Sequence, residues 1–195
     1  MAETRMPLGV PHAMTQEDFW ALPEGPPDAE FEYGVVIPMP RPHGRHQDIV
    51  AVFTRVLPVY VARHGRGRCW VEIDVELNAT LTYVPDLVFL ATEHLARYSE
   101  ADGKIHGVPD LVIEVVSRHN PGRDRVTKFN NYLAVGVPWY WLIDAESLVV
   151  EEYHAAGGHY VRTTAAEAGQ AFRPEAFPGL EIDVQALLVE QGAGL

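Results

Sequence analysis

Apolar residues recur at helical spacing in two long segments of the chain. In residues 45–64 they recur every three or four positions, which predicts an amphipathic helix. Pro58 lies inside this pattern and is expected to kink or shorten the helix. A second helix is predicted at 123–135, where Gly136 and Pro138 follow and end it. Two short helices with polar N-caps are predicted at 15–22 and 184–190.

Strands are predicted where apolar residues alternate with polar ones or form short continuous runs. The segments 82–91 and 109–117 are almost wholly apolar, which is typical of strands buried on both faces of a sheet. Residues 31–39 predict a strand or hairpin with a turn at Gly34. The remaining predicted strands are 69–77, 139–144, 147–154 and 159–164.

The order of these elements is helix, strands, helix, strands. It predicts an α/β fold with a central mixed β-sheet flanked by helices, preceded by an extra helix and hairpin and followed by a C-terminal hairpin. The length of 195 residues fits one domain. We expect an extension at 1–14, a single domain at 15–190 and a tail at 191–195.

The composition narrows the class of protein. Cys69 is the only cysteine, which excludes an intramolecular disulfide and any Cys-based metal site. No apolar run approaches the ~20 residues that span a bilayer, so we expect no membrane partner. Residues 1–14 lack the basic start and apolar core of a secretory signal, so we expect a cytoplasmic protein.

The net charge of −12 argues against a protein that binds nucleic acid over its whole surface. Any binding to phosphates must therefore come from a local patch or from bound metal ions. The basic residues are almost all arginine, and Lys104 and Lys128 are the only lysines. Each lysine therefore calls for a reason why it is not an arginine.

Two acidic residues interrupt the apolar strands. Asp86 lies in the segment YVPDLVFLA and Glu114 in PDLVIEVVS. A buried carboxylate is costly unless it is paired or binds a metal, and neighbouring strands would bring both acids to one hard cation. The alternative is that both lie at exposed strand ends or form salt bridges with arginine. Asp110 would lie ~13 Å from Glu114 along a strand and is expected to pair locally.

Lys128 lies on the helix that follows the Glu114 strand, one turn after Asp124. Beside a metal-bound water, lysine is a compact donor whose pKa can fall on desolvation, whereas arginine keeps its charge. This gives a physical reason for a lysine at this position. The alternative is an ordinary exposed ion pair with Asp124, worth ~0.3–0.5 kcal/mol.

The most basic stretch of the chain comes directly after Glu114. It indicates a local phosphate-binding strip beside the metal site, or else a solvated loop and helix start. His46, at the start of the first long helix, is a candidate donor near the same face. The aromatic segment 139–141 predicts core or dimer contacts. The basic residues of the strip are Arg118, His119, Arg123, Arg125 and Lys128.

These residues together resemble the PD-(D/E)xK superfamily of restriction-endonuclease-like proteins and, more narrowly, its Uma-two family. The resemblance rests on Pro85-Asp86, on Glu114 in PDLVIEVVS and on the segment RDRVTKFNNYLAVGVPWYWLID. These motifs follow in the family's order and spacing over residues 15–188. One position departs from the superfamily pattern, because Val116 stands where the general motif has lysine. Lys128, on the following helix, fits the place to which the lysine of this family has moved.

The resemblance implies a restriction-endonuclease-like core and hydrolysis of DNA phosphodiester bonds with Mg²⁺ or Mn²⁺. Asp86, Glu114 and Lys128 would be the catalytic residues, with the two acids as metal ligands. Glu30, at an N-terminal acidic position of the family, would join them on the metal. The residues expected to contact the nucleic acid are Arg118, Arg123, Arg125 and His46.

Two other functions stay open. The same fold could form a homodimeric binding or assembly module that no longer cuts DNA, for which the net charge, Val116 and the aromatic segment 139–141 argue. A closed pocket would instead favour a metallohydrolase that acts on a small phosphate ester. We expect a homodimer.

Overall fold

Two mixed β-sheets pack against each other at the centre of the protein. The computed structural model describes residues 14–22, 29–39, 41–116 and 121–192. Arg118, His119, the predicted extension except Met14 and the last three residues of the predicted tail lie outside them. The predicted mixed α/β fold is confirmed, and the structure has two sheets where one central sheet was expected.

Twelve strands and four α-helices, together with one 3₁₀ and one π-helical segment, make up the described residues. In chain order they are α1 (Gln16–Trp20), β1 (Ala29–Glu32), β2 (Val35–Pro38), α2 (Gly44–Arg63), β3 (Gly67–Val71), β4 (Val75–Asn78), β5 (Leu81–Tyr83), β6 (Leu87–Ala91), a 3₁₀ helix (Thr92–Arg97), β7 (Tyr98–Ser99), β8 (Lys104–His106), β9 (Leu111–Val116), a π-helical segment (Arg123–Lys128), α3 (Phe129–Val135), β10 (Trp139–Asp144), β11 (Val150–Ala156), β12 (His159–Ala166) and α4 (Val184–Glu190).

The strands divide between an N-terminal sheet and a central sheet. The N-terminal sheet has the order β2-β1-β5-β4-β8-β7, and the central sheet has the order β12-β11-β10-β9-β6-β3. Each sheet contains one parallel pair, β4 with β8 and β9 with β10, and is otherwise antiparallel. The hairpin β7–β8 and the 3₁₀ helix were not predicted from the sequence.

The central sheet is buried on both faces, which explains why its strands are apolar almost throughout. On one face, Ile113 and Val115 pack with α2 and the C-terminal segment. On the other, Val112 and Val116 pack with residues of the N-terminal sheet and α3. Because strand side chains alternate, Glu114 points toward the second group, between the two sheets.

The strands predicted at 69–77 and 82–91 each break in the middle and contribute to both sheets. The first becomes β3 and β4, and the second becomes β5 and β6, so one long hairpin spreads apart. Pro85 interrupts the second strand because it lacks an N–H and restricts the residue before it. Opposite it, Glu72 adopts a positive φ of 47°, and its N–H lies 3.4 Å from the carbonyl of Asp86.

Pro58 does not shorten α2, which extends through it from Gly44 to Arg63, and the predicted kink stays a prediction. The predicted caps of the short helices are confirmed. The hydroxyl of Thr15 accepts from the N–H of Asp18, and Asp183 accepts from the N–H of Ala186. In the described part of the chain, no helix combines the length and apolar character needed to span a bilayer.

A buried carboxylate joins the C-terminal segment to the central sheet, and the sequence did not predict it. Glu152 in β11 is fully buried and accepts from the indole of Trp141 at 2.9 Å and from the hydroxyl of Thr163 at 2.7 Å. It also accepts from the backbone N–H groups of Glu175 and Ala176. Four hydrogen-bond donors therefore share the carboxylate of Glu152 as their acceptor.

We expect Glu152→Ala to lower the free energy of unfolding by about 3–5 kcal/mol, because each buried donor left without an acceptor costs about 1–3 kcal/mol. Urea denaturation measures the change. The matched control is Glu175→Ala, which removes an exposed side chain and keeps the backbone N–H that Glu152 binds. Equal stability of the two variants would contradict this role of Glu152.

Candidate active site

Five elements bring polar side chains to one cleft between the sheets. Asp86 lies where the chain crosses from β5 to β6, and Glu114 lies in the middle of β9. Glu30 comes from β1, Lys128 from the end of the π-helical segment, and His46 from the first turn of α2. All five line a cleft of about 340 Å³.

Glu114 and Lys128 form a buried ion pair. Each is 4% exposed, and Lys128 Nζ lies 2.9 Å from Glu114 Oε1. The hydroxyl of Tyr132 donates to the same oxygen at 2.8 Å, so Oε2 takes part in neither bond. Burial raises the pKa of Glu114 to about 7, although the charge of Lys128 lowers it. Among the described residues, the side chains that hold this carboxylate therefore all contact the same oxygen.

The pKa of Lys128 is higher than the sequence predicted. Its ammonium also lies 2.8 Å from Glu30 Oε1 and 3.9 Å from Asp124 Oδ1. Burial lowers the pKa of Lys128, but Glu114, Glu30 and Asp124 together raise it above its usual value. The idea that desolvation makes this amine easier to deprotonate is therefore wrong. The alternative of an exposed pair with Asp124 is also wrong, because the side chain is buried.

Glu30 is held by two cations and one backbone group. Arg123 donates to Glu30 Oε2 from Nη2 at 2.6 Å and from Nε at 3.2 Å, while Lys128 and the N–H of Val84 contact Oε1. Burial raises the pKa of Glu30, and Lys128 and Arg123 outweigh it and hold the pKa below its usual value. Glu30 is thus an ionised anchor for Lys128. A role as metal ligand stays a prediction and would need these bonds to give way.

The negative charge of Asp86 is compensated far less than that of Glu30. Its Oδ2 accepts from the N–H of Val115 at 2.6 Å, and its Oδ1 faces His46 Nε2 at 2.9 Å. Burial and the charge of Glu114 raise the pKa of Asp86 well above its usual range. Both carboxylates line the same cleft, where the negative charge of Glu114 disfavours ionisation of Asp86.

The site is short of positive charge. Four carboxylates and three permanent cations line the cleft, and a fifth carboxylate, that of Glu32, pairs with Arg123. When all five acids are ionised, two negative charges are uncompensated among the described residues. The acids are Glu30, Glu32, Asp86, Glu114 and Asp124, and the cations are Arg41, Arg123 and Lys128.

The π-helical segment explains how Arg123 and Lys128 reach the same acid. In an α-helix, residues five apart lie about 140° apart around the axis. The i→i+5 hydrogen bonds of a π-helix bring such residues toward one face. Both side chains therefore contact Glu30. The sequence predicted the helix but gave no signal for its π-helical start.

The predicted basic strip is not a row of free cations. Arg123 pairs with Glu30 and Glu32, and Arg125 lies 2.8 Å from Asp144 and 3.5 Å from Glu151. Arg118 lies outside the described residues. Phosphate contacts by these arginines stay predictions.

A different arginine is exposed beside the cleft. Arg41 lines its opening and has no acidic partner in the described ranges. The structure thus offers a cation at the mouth of the cleft that the sequence reading did not single out.

Several residues of the site gave no clear signal in the sequence. Tyr132 follows Lys128 by one helical turn and completes the bonds to Glu114. Asn131 donates to Glu32 and to the hydroxyl of Tyr83, which supports the pair of Glu32 and Arg123. The spacing of Lys128 and Tyr132 was the one available hint.

Residues expected to lie elsewhere do so. Asp110 accepts from the N–H of Ala91 at 2.7 Å and faces His94, which is the local pairing predicted for it. Tyr140 and Trp141 are buried core residues. Burial raises the pKa of Cys69 to about 12, so it is an inert thiol.

The fold and the site together define a restriction-endonuclease-like protein. The chain belongs to the Uma2 family, whose model is described as "Putative restriction endonuclease" and matches residues 16–185. A crystal structure of "a putative nuclease belonging to DUF820" from Anabaena variabilis ATCC 29413 is similar at a TM-score of 0.70 and 22% identity. It covers 90% of this chain and 98% of that one, which shows the shared fold. No curated protein matches the chain.

The donor set fits a hard divalent cation bound by few protein ligands. Within the described ranges, no group of three His, Cys, Asp or Glu side chains is arranged to hold a metal ion. Mg²⁺ commonly binds through one or two carboxylates and keeps several waters. Asp86 and Glu114 supply two such carboxylates, and a cation held by both would relieve the repulsion that raises the pKa of Asp86.

We expect Asp86→Asn to stabilise the metal-free protein. A carboxyl whose folded pKa is raised loses stability as pH rises from its unfolded pKa to its folded pKa. The gain of the neutral variant should therefore be small at pH 4 and grow toward pH 8, where a gain on the order of 1 kcal/mol raises Tm by about 2–4 °C. Thermal unfolding in EDTA measures it. A variant less stable than wild type at pH 8 would contradict the charge account.

Proposed function

We propose that the protein is a Mg²⁺- or Mn²⁺-dependent endonuclease that hydrolyses phosphodiester bonds of DNA. The observation that carries this proposal is the cleft itself, where Asp86 and Glu114 meet beside a buried ammonium with too little positive charge to balance them. Membership of the Uma2 family supports the same function.

Asp86 and Glu114 would hold the cation. When bound, a divalent cation neutralises charge on the scissile phosphate and lowers the pKa of a bound water. In this chain, the N–H of Val115 orients Asp86, and Lys128 and Tyr132 orient Glu114. Both carboxylates are thus held in place before substrate arrives, which is what pre-organised electrostatic catalysis needs.

Lys128 would act as a fixed positive charge. Glu30 and Glu114 hold its ammonium from two sides and keep it protonated. A protonated amine can orient the attacking water or stabilise the charge that develops on the phosphate. Lys128 would therefore replace the lysine of the general motif in position, and it would act as a donor rather than as a base.

Contacts to the nucleic-acid backbone would come from cations around the cleft. Arg41 is exposed at its opening, and Arg123, Arg125, Arg118 and His46 are the positions predicted from the sequence. A bound divalent ion would also make a strongly acidic protein locally attractive to phosphate. A cytoplasmic location and a homodimer stay predictions.

The second candidate function is a nuclease fold that dimerises without cutting DNA. This candidate is favoured by the two ion pairs of Lys128, whose ammonium already contacts carboxylates at 2.8 and 2.9 Å. An ammonium with two strong anionic partners has less to offer a phosphate. The two functions differ in whether the cleft binds a divalent ion and cleaves.

We expect the wild-type protein to nick plasmid DNA in Mg²⁺ or Mn²⁺ and to be inactive in EDTA. Asp86→Asn should lower the rate at least about 10³-fold, because it removes a metal ligand and keeps the fold. Gel assays with plasmid, single-stranded DNA and RNA measure cleavage and the preferred substrate.

The matched control for this assay is Asp110→Asn, which changes a partly buried aspartate outside the cleft. It should leave the rate within about twofold of wild type. Cleavage that survives Asp86→Asn would reject the assigned site. A wild-type protein that binds the metal, forms a dimer and cuts none of the substrates would favour the second candidate, a nuclease fold that dimerises without cutting DNA.

A further inference from the structure

His46 has an unusual environment next to Asp86. It lies in the first turn of α2, and its ring is largely buried against the cleft. Both ring nitrogens are buried without a hydrogen-bond partner within the described residues. Such orphaned polar atoms are rare in native proteins and call for an explanation.

The contact of His46 with Asp86 is close but is not a hydrogen bond. Nε2 lies 2.9 Å from Oδ1, yet its geometry does not meet the requirements of a hydrogen bond. Two ligands that each lie about 2.1 Å from one cation at a right angle are separated by about 3.0 Å. The distance between the two atoms is therefore the separation expected for two neighbouring ligands of a shared ion.

We propose that His46 Nε2 is a nitrogen ligand of the divalent cation bound by Asp86. This inference rests on the proposed function and adds a ligand of a different chemical kind to Asp86 and Glu114. Because the described side chains do not converge as a group of three, a carboxylate or the ring has to shift when the ion binds. An imidazole beside carboxylates favours Mn²⁺ and later transition ions over Mg²⁺, which prefers oxygen. His46 would thus determine which metal the protein uses.

The position of the ring agrees with this role. The side chain of His46 is 11% exposed and lies against Asp86 inside the cleft. A ring this deeply placed is closer to a cation held by Asp86 than to the opening of the cleft, so metal binding explains the position better than the phosphate contact predicted from the sequence.

The test is electron spin echo spectroscopy of bound Mn²⁺, which detects the ¹⁴N nucleus of a coordinated imidazole. The full chain is used without a histidine tag, as wild type, His46→Gln and His43→Gln. His43 also lines the cleft and serves as the matched control. We expect the ¹⁴N coupling in wild type and His43→Gln and its loss in His46→Gln.

Calorimetric titration supplies a second readout. Loss of even an outer partner of a metal ligand typically weakens binding 10–100-fold, so Mn²⁺ affinity should fall at least about tenfold in His46→Gln. Mg²⁺ affinity should change less, because the amide oxygen of glutamine suits Mg²⁺.

Each outcome of the test decides between the two claims. Mn²⁺ that binds wild type without ¹⁴N coupling, or coupling that persists in His46→Gln, overturns the role of His46 and leaves the proposed function intact. Wild-type protein that binds no Mn²⁺ at all overturns the proposed function and the role of His46 together.

Discussion

The arrangement of this site depends on one electrostatic constraint, a buried cluster in which carboxylates outnumber cations. Lys128 and Arg123 neutralise part of the charge by holding Glu30, Glu32 and Glu114. Among the described residues, Asp86 accepts from one N–H and lies 2.9 Å from His46, which forms no hydrogen bond with it. Burial of an unpaired charge is destabilising, so a positive charge bound at Asp86 would stabilise the folded protein. Under the proposed function a divalent cation would supply that charge, and the same charge would serve phosphodiester hydrolysis.

The fold creates this cluster by bringing distant segments to the space between two sheets. The long hairpin opens at Pro85 and places Asp86 where its strands part. Strand alternation points Glu114 into the same space from the middle of the central sheet. The π-helical segment then turns Arg123 and Lys128 toward Glu30. Because rigid strands and a helix carry these groups, their geometry is fixed before any ligand binds.

The sequence was a good guide where local pattern and burial agree. The apolar strands around Asp86 and Glu114 indicated buried acids, and the structure brings both to one cleft with Lys128. The partners of the arginines could not be foreseen, because Glu32, Asp144 and Glu151 lie far from them in sequence. The same holds for the split of the hairpin between two sheets and for Tyr132, since tertiary contacts decide them. The raised pKa of Lys128 likewise depends on Glu30, which is distant along the chain.

The most direct test of the account is the anomalous difference density of crystals grown with Mn²⁺. The account predicts one strong peak in the cleft, within coordination distance of Asp86 and Glu114 and beside the ammonium of Lys128. A cleft without a peak at saturating Mn²⁺, with the carboxylates and Lys128 in the same pairs, would contradict it. The buried acids would then be structural, and the shortage of positive charge would be met by protons alone.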